Sequence, residues 1–335
     1  MDASTSSIPP MIKPDKVTVA IEGWNADNLG DRRHAERSAA SLRSQDYSIG
    51  QCQLLVLAAA PVADDTRRFY QSQLPGFEIV PVEAATYYRM KNAALKHAEG
   101  DYLVVADSDV VYTPGWLGAM LGSLAPEIDV VVGHTWYADG FLSRSQSICD
   151  WGATRPVSGP TDWIYGNNLA LRLAAFPGLH FRGDLGRTGG GATDIVRATW
   201  LAQGTRLWFC RTARASHNLE PFLTKRLRMG AFHVHHRQRA PHLPGARLMR
   251  VPLLGPALVT AGTMVRAWVR SWQLRRDLPL GVAVLPAYLL SIAFVKAVEA
   301  VGATIYALNP GWIERRFHWF DVLPPSLEAG AGRAA

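Results

Sequence analysis

Two carboxylates that stand one residue apart are the feature of this sequence with the most chemical content. Asp107, Ser108 and Asp109 follow directly after the apolar run YLVVA at 102–106. Ligands of an open parallel sheet bind beyond the carboxyl ends of its strands, where such a pair suits a divalent cation that bridges to a diphosphate. The alternative is a turn in which Asp and Ser cap the helix that follows at 113–116. The spacing by itself leaves both interpretations open.

Alternating apolar runs and helix-period segments supply the elements that would position this pair. The predicted strands cover 17–21, 53–60, 77–82, 102–106 and a run that begins at 129. The predicted helices between them cover 31–45, 65–73, 87–98 and 116–124. Continuous apolar strands that alternate with helices are typical of a mainly parallel sheet with helices on both faces. We therefore predict an α/β fold.

The composition excludes several classes of protein. Of the 335 residues, 48% are hydrophobic and only 19% are charged, which is unlike a disordered polyampholyte. The three cysteines, Cys52, Cys149 and Cys210, are far apart and form no CxxC pair. A zinc ribbon, a thioredoxin-type motif and a disulfide scaffold are therefore excluded, and we expect thiols in a reducing compartment.

The positive charge of the chain is confined to one segment. Residues 205–276 carry 14 Lys and Arg and a single acid, Glu220, for a local charge of +13. The whole chain has a charge of +7, so subtracting 13 leaves −6 for the remainder. The protein is thus a mildly acidic body with one strongly basic segment, and that segment needs a local cause.

Two uncharged stretches lie in and after the basic segment. They cover 251–265 and 278–295, and the second is at the lower limit for a membrane span. Arg266, Arg270, Arg275 and Arg276 lie between them, an arrangement that suits anionic headgroups better than nucleic acid. Lys296 and Glu299 follow, one helical turn apart. We expect membrane contact and no nucleic acid; the alternative is a buried helical hairpin.

The region around the carboxylate pair resembles the family 2 glycosyltransferases of the GT-A fold. The motifs that carry the resemblance are Lys91-Asn92, AEGD at 98–101, the strand with D-x-D, and P-x-W-L at 114–117. Further motifs are VTVAIEGWN at 17–25, WIYGNNLAL at 163–171 and the segment 190–217, which ends in RASH. Together they cover roughly 16–220 and imply a GT-A, Rossmann-like mixed sheet, with the apolar helices added at its C-terminal side.

The resemblance implies transfer of a sugar, with inversion, from a nucleotide-diphosphate donor to an acceptor hydroxyl. The residues that match positions contacting the nucleotide sugar are Glu22, Asn25, Lys91, Asn92, Asp107 and Ser108. Asp109 and His217 match the metal site, for Mg²⁺ or Mn²⁺. Trp163, Asn167 and Asn168 match the acceptor side.

Asp194 matches the catalytic acidic position of the family. A displacement with inversion needs a carboxylate that takes the proton of the acceptor hydroxyl. Asp194 is also well placed as the cap of a helix that begins beside it, and the two roles are compatible. Asp184 is the alternative base, because the distance from Asp194 to Gly204 is about one residue shorter than in the family pattern.

The sequence departs from the family pattern at three points. Ala58 to Ala60 stand where an aspartate of the family reads the base, and Thr193 replaces the glutamate that precedes the catalytic aspartate. The Q-x-x-R-W motif of processive synthases is absent, so we expect transfer of single sugars. An alternative function is a catalytically inactive binding or scaffold subunit with a nucleotide-sugar-like fold.

These observations define the expected organisation and partners. The expected segments are a flexible tail at 1–15, a GT-A domain at 16–240, a basic and apolar membrane-associated region at 241–320, and a flexible tail at 321–335. The expected partners are a nucleotide-sugar donor, a glycan or lipid-linked acceptor, and an anionic membrane surface. We expect the protein at the cytoplasmic face of the cell membrane, held there by a peripheral, re-entrant or single-span segment.

Overall fold

The structure is a computed structural model. It describes residues 13–23, 32–83, 85–137, 140–151, 155–175, 181, 192–217, 221–239, 243–251, 253–276 and 282–312. Of the two predicted tails, 321–335 and most of 1–15 therefore lie outside the described residues.

Within the described residues, nine strands form a single sheet. They are β1 (Val17–Glu22), β2 (Gln53–Ala59), β3 (Glu78–Val82), β4 (Tyr102–Asp107), β5 (Val110–Tyr112), β6 (Val130–Tyr137), β7 (Gly159–Pro160), β8 (Asn168–Arg172) and β9 (Leu207–His217). Their order across the sheet is β3-β2-β1-β4-β8-β6-β9-β5, and β7 also pairs with β9.

The sheet is mainly parallel. β3, β2, β1 and β4 pair in parallel, as do β6 and β9. β8 is antiparallel to both of its neighbours, β4 and β6. The predicted fold class, a mixed and mainly parallel α/β sheet, is confirmed.

The described helices surround this sheet and extend beyond it. They are α1 (Arg33–Arg43), α2 (Asp64–Gln73), α3 (Tyr87–His97), α4 (Trp116–Gly122), α5 (Phe141–Asp150), α6 (Ala192–Ala202), α7 (Phe222–Arg239), α8 (Leu254–Gln273) and α9 (Leu285–Leu308). The helices predicted at 31–45, 65–73, 87–98 and 116–124 correspond to α1 to α4.

The two faces of the sheet carry separate hydrophobic cores, because successive strand residues point to opposite faces. In β4, Val104 and Ala106 belong to the core beneath α1, α2 and α4. Leu103 and Val105 belong to the core beneath α3 and α6. Both faces of the sheet are covered by helices, which explains why its strands read as continuous apolar runs.

The C-terminal helices form a further unit that contacts the sheet through α5 and through Lys225 of α7. α7 and α9 cross in direct backbone contact: a Cβ atom added at Gly230 would lie 1.9 Å from the carbonyl oxygen of Glu299. One added at Gly302 would lie 2.0 Å from the carbonyl oxygen of Leu227. α8 joins them through the Trp268 indole, which donates to the carbonyl of Leu289 at 3.0 Å. α7 thus belongs to the predicted segment 16–240 but packs on the last helix; the proposed division stays a prediction.

One described helix, Val282–Leu308, has the length and the apolar composition to cross a membrane. About a third of its most apolar window is buried against the rest of the protein. Length and composition alone are weak support for an anchor, because the core helix of a soluble protein passes the same test.

Candidate donor and metal site

Three carboxylates meet at the carboxyl ends of two neighbouring parallel strands. Glu22 ends β1, Asp107 ends β4, and these two residues are direct partners in the register of the strands. Asp109 follows two residues later. One oxygen atom from each carboxylate lies within 4.8 Å of the others, and all three residues are buried. The chain brings them together because parallel strands end at the same edge of the sheet.

The electrostatics of this carboxylate cluster favour a cation. Burial raises the pKa of Glu22 well above its usual range, and the charge of Asp107 raises it further. Burial also raises the pKa of Asp107, against the opposing effect of Lys91. Negative groups held together away from water repel each other, and a hard divalent cation with a preference for carboxylate oxygens would relieve that repulsion. The donor set fits Mg²⁺ or Mn²⁺.

Asp107 is fixed in place by two residues of α3. The Lys91 ammonium lies 2.7 Å from Oδ1, and the Tyr87 hydroxyl donates to Oδ2 at 2.8 Å. Lys91 also lies over the Tyr87 ring, 4.1 Å from its centroid. The close packing requires Gly166, where a Cβ would lie 2.6 Å from the tyrosine oxygen. Tyr87 was not predicted; the only signal was its position one helical turn before Lys91.

The second aspartate, Asp109, lies close to a histidine that comes from another strand, β9. His217, at the end of β9, pairs with Val110 in the antiparallel ladder of β5 and β9. Its Nε2 lies 3.5 Å from Oδ2 of Asp109. The ring also contacts Tyr137 edge-on, with centroids 5.8 Å apart. The structure therefore brings together the two residues that the sequence assigned to the metal.

Ser108 and Asn92 complete the described part of the predicted donor set. The Ser108 backbone N–H donates to Oε1 of Glu22 at 3.3 Å. Its hydroxyl is buried, and among the described residues it has no hydrogen-bond partner. The Asn92 amide instead exchanges two hydrogen bonds with the backbone of Phe181, at 2.8 and 2.6 Å. Asn92 thus holds a neighbouring segment, whereas Ser108 lies inside the carboxylate cluster.

Three predicted site residues lie wholly or partly outside the described residues. Asn25 and Asp184 lie outside them. Asp194 belongs to the first turn of α6, but its side chain is outside the description. The choice between Asp194 and Asp184 as the base stays a prediction.

Comparison with known proteins finds a family match over the part of the chain that contains Lys91, Asp107 and Asp109. The family model described as Glycosyl transferase family 2 matches residues 36–155, a range that includes α3, β4 and the D-x-D pair. Residues 36–155 are thus similar to a family 2 glycosyltransferase domain. The resemblance predicted from the motifs is confirmed, and the family supports sugar transfer as the activity.

The comparison with solved structures gives a match of low sequence identity. Among 205 solved chains that match is the crystal structure of GalNAc-T7 with UDP, GalNAc and Mn2+. That match has a TM-score of 0.46 and 12% sequence identity, and it covers 62% of this chain and 43% of the other. This chain thus matches less than half the length of GalNAc-T7. No curated protein matched the sequence.

The predicted acceptor-side residues follow the matched segment in the sequence, and they differ in their surroundings. Asn168 is fully buried: its Oδ1 accepts from the Trp116 indole at 2.8 Å and its Nδ2 donates to Thr135 at 3.1 Å. Asn167 is linked to the donor site, because its carbonyl accepts from the Tyr112 hydroxyl at 3.1 Å. That same hydroxyl accepts from the backbone N–H of Asp107 at 2.8 Å. Trp163 is half-buried beneath the guanidinium of Arg197, which lies 4.7 Å from the ring centroid.

A network of buried charges, not predicted from the sequence, begins beside the family 2 site. Asp150 accepts two hydrogen bonds from Arg226, at 2.8 and 2.6 Å, and one from Tyr137, at 2.6 Å. Arg226 also donates to Glu299 at 2.9 Å, and Lys296 lies 2.7 Å from the other oxygen of Glu299. Lys225 hydrogen-bonds the Tyr137 hydroxyl and is the remaining cation of this buried ion network.

The buried ion network joins the end of β6 to α9. Tyr137 contacts His217 on one side and Asp150 on the other. The charges that follow lie on α5, α7 and α9. The C-terminal helices are therefore attached to the same end of the sheet that holds the carboxylate cluster.

Proposed function

We propose that this protein is a glycosyltransferase that moves a sugar from a nucleoside-diphosphate donor to an acceptor hydroxyl with inversion, and that it depends on Mg²⁺ or Mn²⁺. The observation that carries the proposal is the buried cluster of Glu22, Asp107 and Asp109 at the strand ends, next to Lys91 and His217. Like-charged carboxylates kept from water are costly for a fold unless they serve a ligand. The family 2 match supports a sugar as that ligand.

In this proposal the donor lies against the carboxyl ends of β1 and β4. Asp109 and His217 would hold the divalent cation, which would supply positive charge to stabilise the departing diphosphate. Asp107, whose carboxylate is held in place by Tyr87 and Lys91, would lie against the nucleotide. The Ser108 hydroxyl, which has no hydrogen-bond partner among the described residues, would be a hydrogen-bonding group for the same ligand.

The proposed reaction is a single displacement at the anomeric carbon. The acceptor oxygen forms its bond to that carbon on the face opposite the diphosphate, and the bond from the carbon to the diphosphate oxygen breaks. The acceptor proton passes to a carboxylate, for which we propose Asp194. The anomeric carbon passes through an oxocarbenium-like state, so charge builds on the diphosphate side as the bond lengthens.

We propose that the acceptor, a glycan or a lipid-linked molecule, is met at the cytoplasmic face of a membrane. The apolar helix Val282–Leu308 and the arginine-rich stretch before it support this location. Arginines beside apolar surface suit anionic headgroups.

The test is release of nucleoside diphosphate from a panel of nucleotide sugars, with and without Mn²⁺ or Mg²⁺. We expect metal-dependent turnover, at least a hundredfold loss in Asp109→Asn and in Asp194→Asn, and a product of opposite anomeric configuration by NMR. Asp101→Asn is the matched control, since Asp101 lies exposed at the other end of β4, near Lys16. Turnover that persists in Asp109→Asn would refute the assignment of the site.

A binding subunit without turnover is the second candidate. It is favoured by the end of β2, where Ala58 and Ala59 follow the partner of Glu22 in the ladder and offer no polar side chain to a base. Calorimetry together with the release assay separates the two candidates: a nucleotide sugar that binds with metal but is never turned over supports the binding subunit.

A further inference from the structure

The last helix is apolar on its outward face as well as over most of its buried face. The face of α9 that packs against the protein includes the charged residues Lys296 and Glu299. The outward face carries Leu290, Phe294 and Val301, which are 73%, 55% and 51% exposed. A surface helix in water carries charged and polar residues on its outward face. The outward stripe of α9, completed by Leu308, is therefore built for a non-aqueous surrounding.

The neighbouring helix α8 repeats this pattern. Its outward residues, spaced three, four or seven apart, are Leu254, Leu258, Val265, Val269 and Trp272. In the sequence, residues 243–276 include six arginines and no acidic residue. Apolar side chains flanked only by positive charge complement the surface of an anionic bilayer, and exposed Trp272 and Trp312 suit its interfacial layer.

The attachment of α9 makes a crossing of the bilayer costly in this fold. Glu299 lies near the middle of the helix Leu285–Leu308. Its carboxylate is bonded to Arg226, which holds Asp150, which in turn holds Tyr137 at the end of β6. A membrane-spanning α9 would place these charges, and with them the end of the sheet, at the depth of the hydrocarbon, where buried charges are expensive.

We propose that α8 and α9 lie in the plane of a single anionic leaflet, with their outward apolar stripes in the hydrocarbon boundary and the arginines of α8 at the headgroups. This monotopic arrangement takes the place of the three predicted modes of membrane attachment, and it rests on the proposed membrane location. It commits to lipid as the occupant, because a second copy of the same basic surface would repel its partner.

Flotation of the full-length protein with sealed vesicles tests the surface. The protein should bind mixed phosphatidylcholine and phosphatidylglycerol vesicles, and added salt should weaken that binding. The double variant Leu290→Glu/Phe294→Glu should lose at least about tenfold in partitioning, since two large apolar side chains leave the hydrocarbon. Val157→Glu is the matched control, because Val157 is 67% exposed on the catalytic body. Equal binding by all three proteins would overturn the proposal.

Labelling from one side of the membrane tests the orientation. Ala283→Cys and Asn309→Cys place a thiol at exposed positions before and after α9. Sealed vesicles of known orientation, prepared from cells that express each full-length variant, are treated with an impermeant maleimide and compared with the parent protein. Both new thiols should react from the same side. Reaction from opposite sides would establish a span and overturn the proposal.

The oligomeric state and donor hydrolysis are measured on the same variants. A parent protein that stays soluble as a dimer, while the double variant becomes a monomer, would assign the stripes to a second copy and overturn lipid docking. Donor hydrolysis in detergent separates this inference from the proposed function, because Leu290 and Phe294 lie outside the donor site. The double variant should keep donor hydrolysis while it loses vesicle binding. If the parent protein itself shows no donor hydrolysis, that result counts against the proposed function and not against the membrane surface.

Discussion

Asp150→Asn removes one charge from the buried ion network and should be strongly destabilising. Asp150 accepts three hydrogen bonds from Arg226 and Tyr137 and lies 3.7 Å from the Lys225 ammonium. The network has three cations, Lys225, Arg226 and Lys296, against two carboxylates, so the substitution raises its net charge from +1 to +2. Arg226 is fully buried and would lose its bidentate partner.

The magnitude follows from the cost of an uncompensated buried charge. Breaking such a pair on one side costs about 3–5 kcal/mol. Asparagine keeps the volume and one acceptor oxygen, which places the expectation near the lower end, at about 3 kcal/mol. That is a large part of the total stability of about 5–15 kcal/mol for a typical domain.

Urea unfolding followed by circular dichroism measures the effect. The matched control is Asp162→Asn, because Asp162 bridges Arg155 at the exposed surface and should contribute less than about 1 kcal/mol. The double variant Asp150→Asn/Arg226→Met should be more stable than the sum of the two single changes predicts, since it restores the net charge of the network from +2 to its original +1. A loss in Asp150→Asn no larger than that in the control would refute the reasoning.

The same carboxylate gives a pH dependence. Although burial favours its neutral form, Arg226 and Lys225 hold the pKa of Asp150 below its usual range. A depressed folded pKa adds stability that is present above the unfolded pKa and is lost as the pH falls below it. The parent should therefore lose stability below about pH 4 more steeply than Asp150→Asn.

Three further predictions concern packing and titration. Gly230→Ala should destabilise by several kcal/mol, because its Cβ would meet a backbone oxygen at 1.9 Å, whereas Gly262→Ala, with nothing within 4 Å, should be neutral or stabilising in thermal unfolding. Asn168→Ala should lower the unfolding midpoint and leave donor binding measurable by calorimetry, because its amide joins Trp116 of α4 to Thr135 of β6 in the core. Burial and then Arg214 lower the pKa of His134 to about 4; the parent should therefore lose about 2 kcal/mol more than His134→Gln between about pH 7 and 5, measured by urea unfolding.

The strands and the carboxylate pair could be predicted because their signals are local. The continuous apolar runs of β1, β2 and β4 are what a sheet covered on both faces demands, and Asp107 is the residue at which the last of these runs ends. Placing Asp109 near His217 required the family motifs, because 108 positions separate these residues along the chain.

Long-range pairing explains what the sequence did not reveal. Lys296 and Glu299 stand one helical turn apart, a spacing typical of an exposed ion pair, yet both are buried because Arg226 and Asp150 arrive from other helices. Asn168 stands in a motif that matches the acceptor side, but its amide is engaged by the Trp116 indole from a distant helix. Periodicity reports neither contact.

Metal-dependent release of nucleoside diphosphate by the parent protein, Asp109→Asn and Asp101→Asn is the most direct test of the proposed glycosyltransferase site. The variants are compared after circular dichroism shows that each is folded. We expect release by the parent and by Asp101→Asn, abolished by a chelator and restored by Mn²⁺ or Mg²⁺, and at least a hundredfold less by Asp109→Asn. Equal release by Asp109→Asn and Asp101→Asn, or release that a chelator leaves unchanged, would contradict a metal-assisted transfer at the carboxylate cluster.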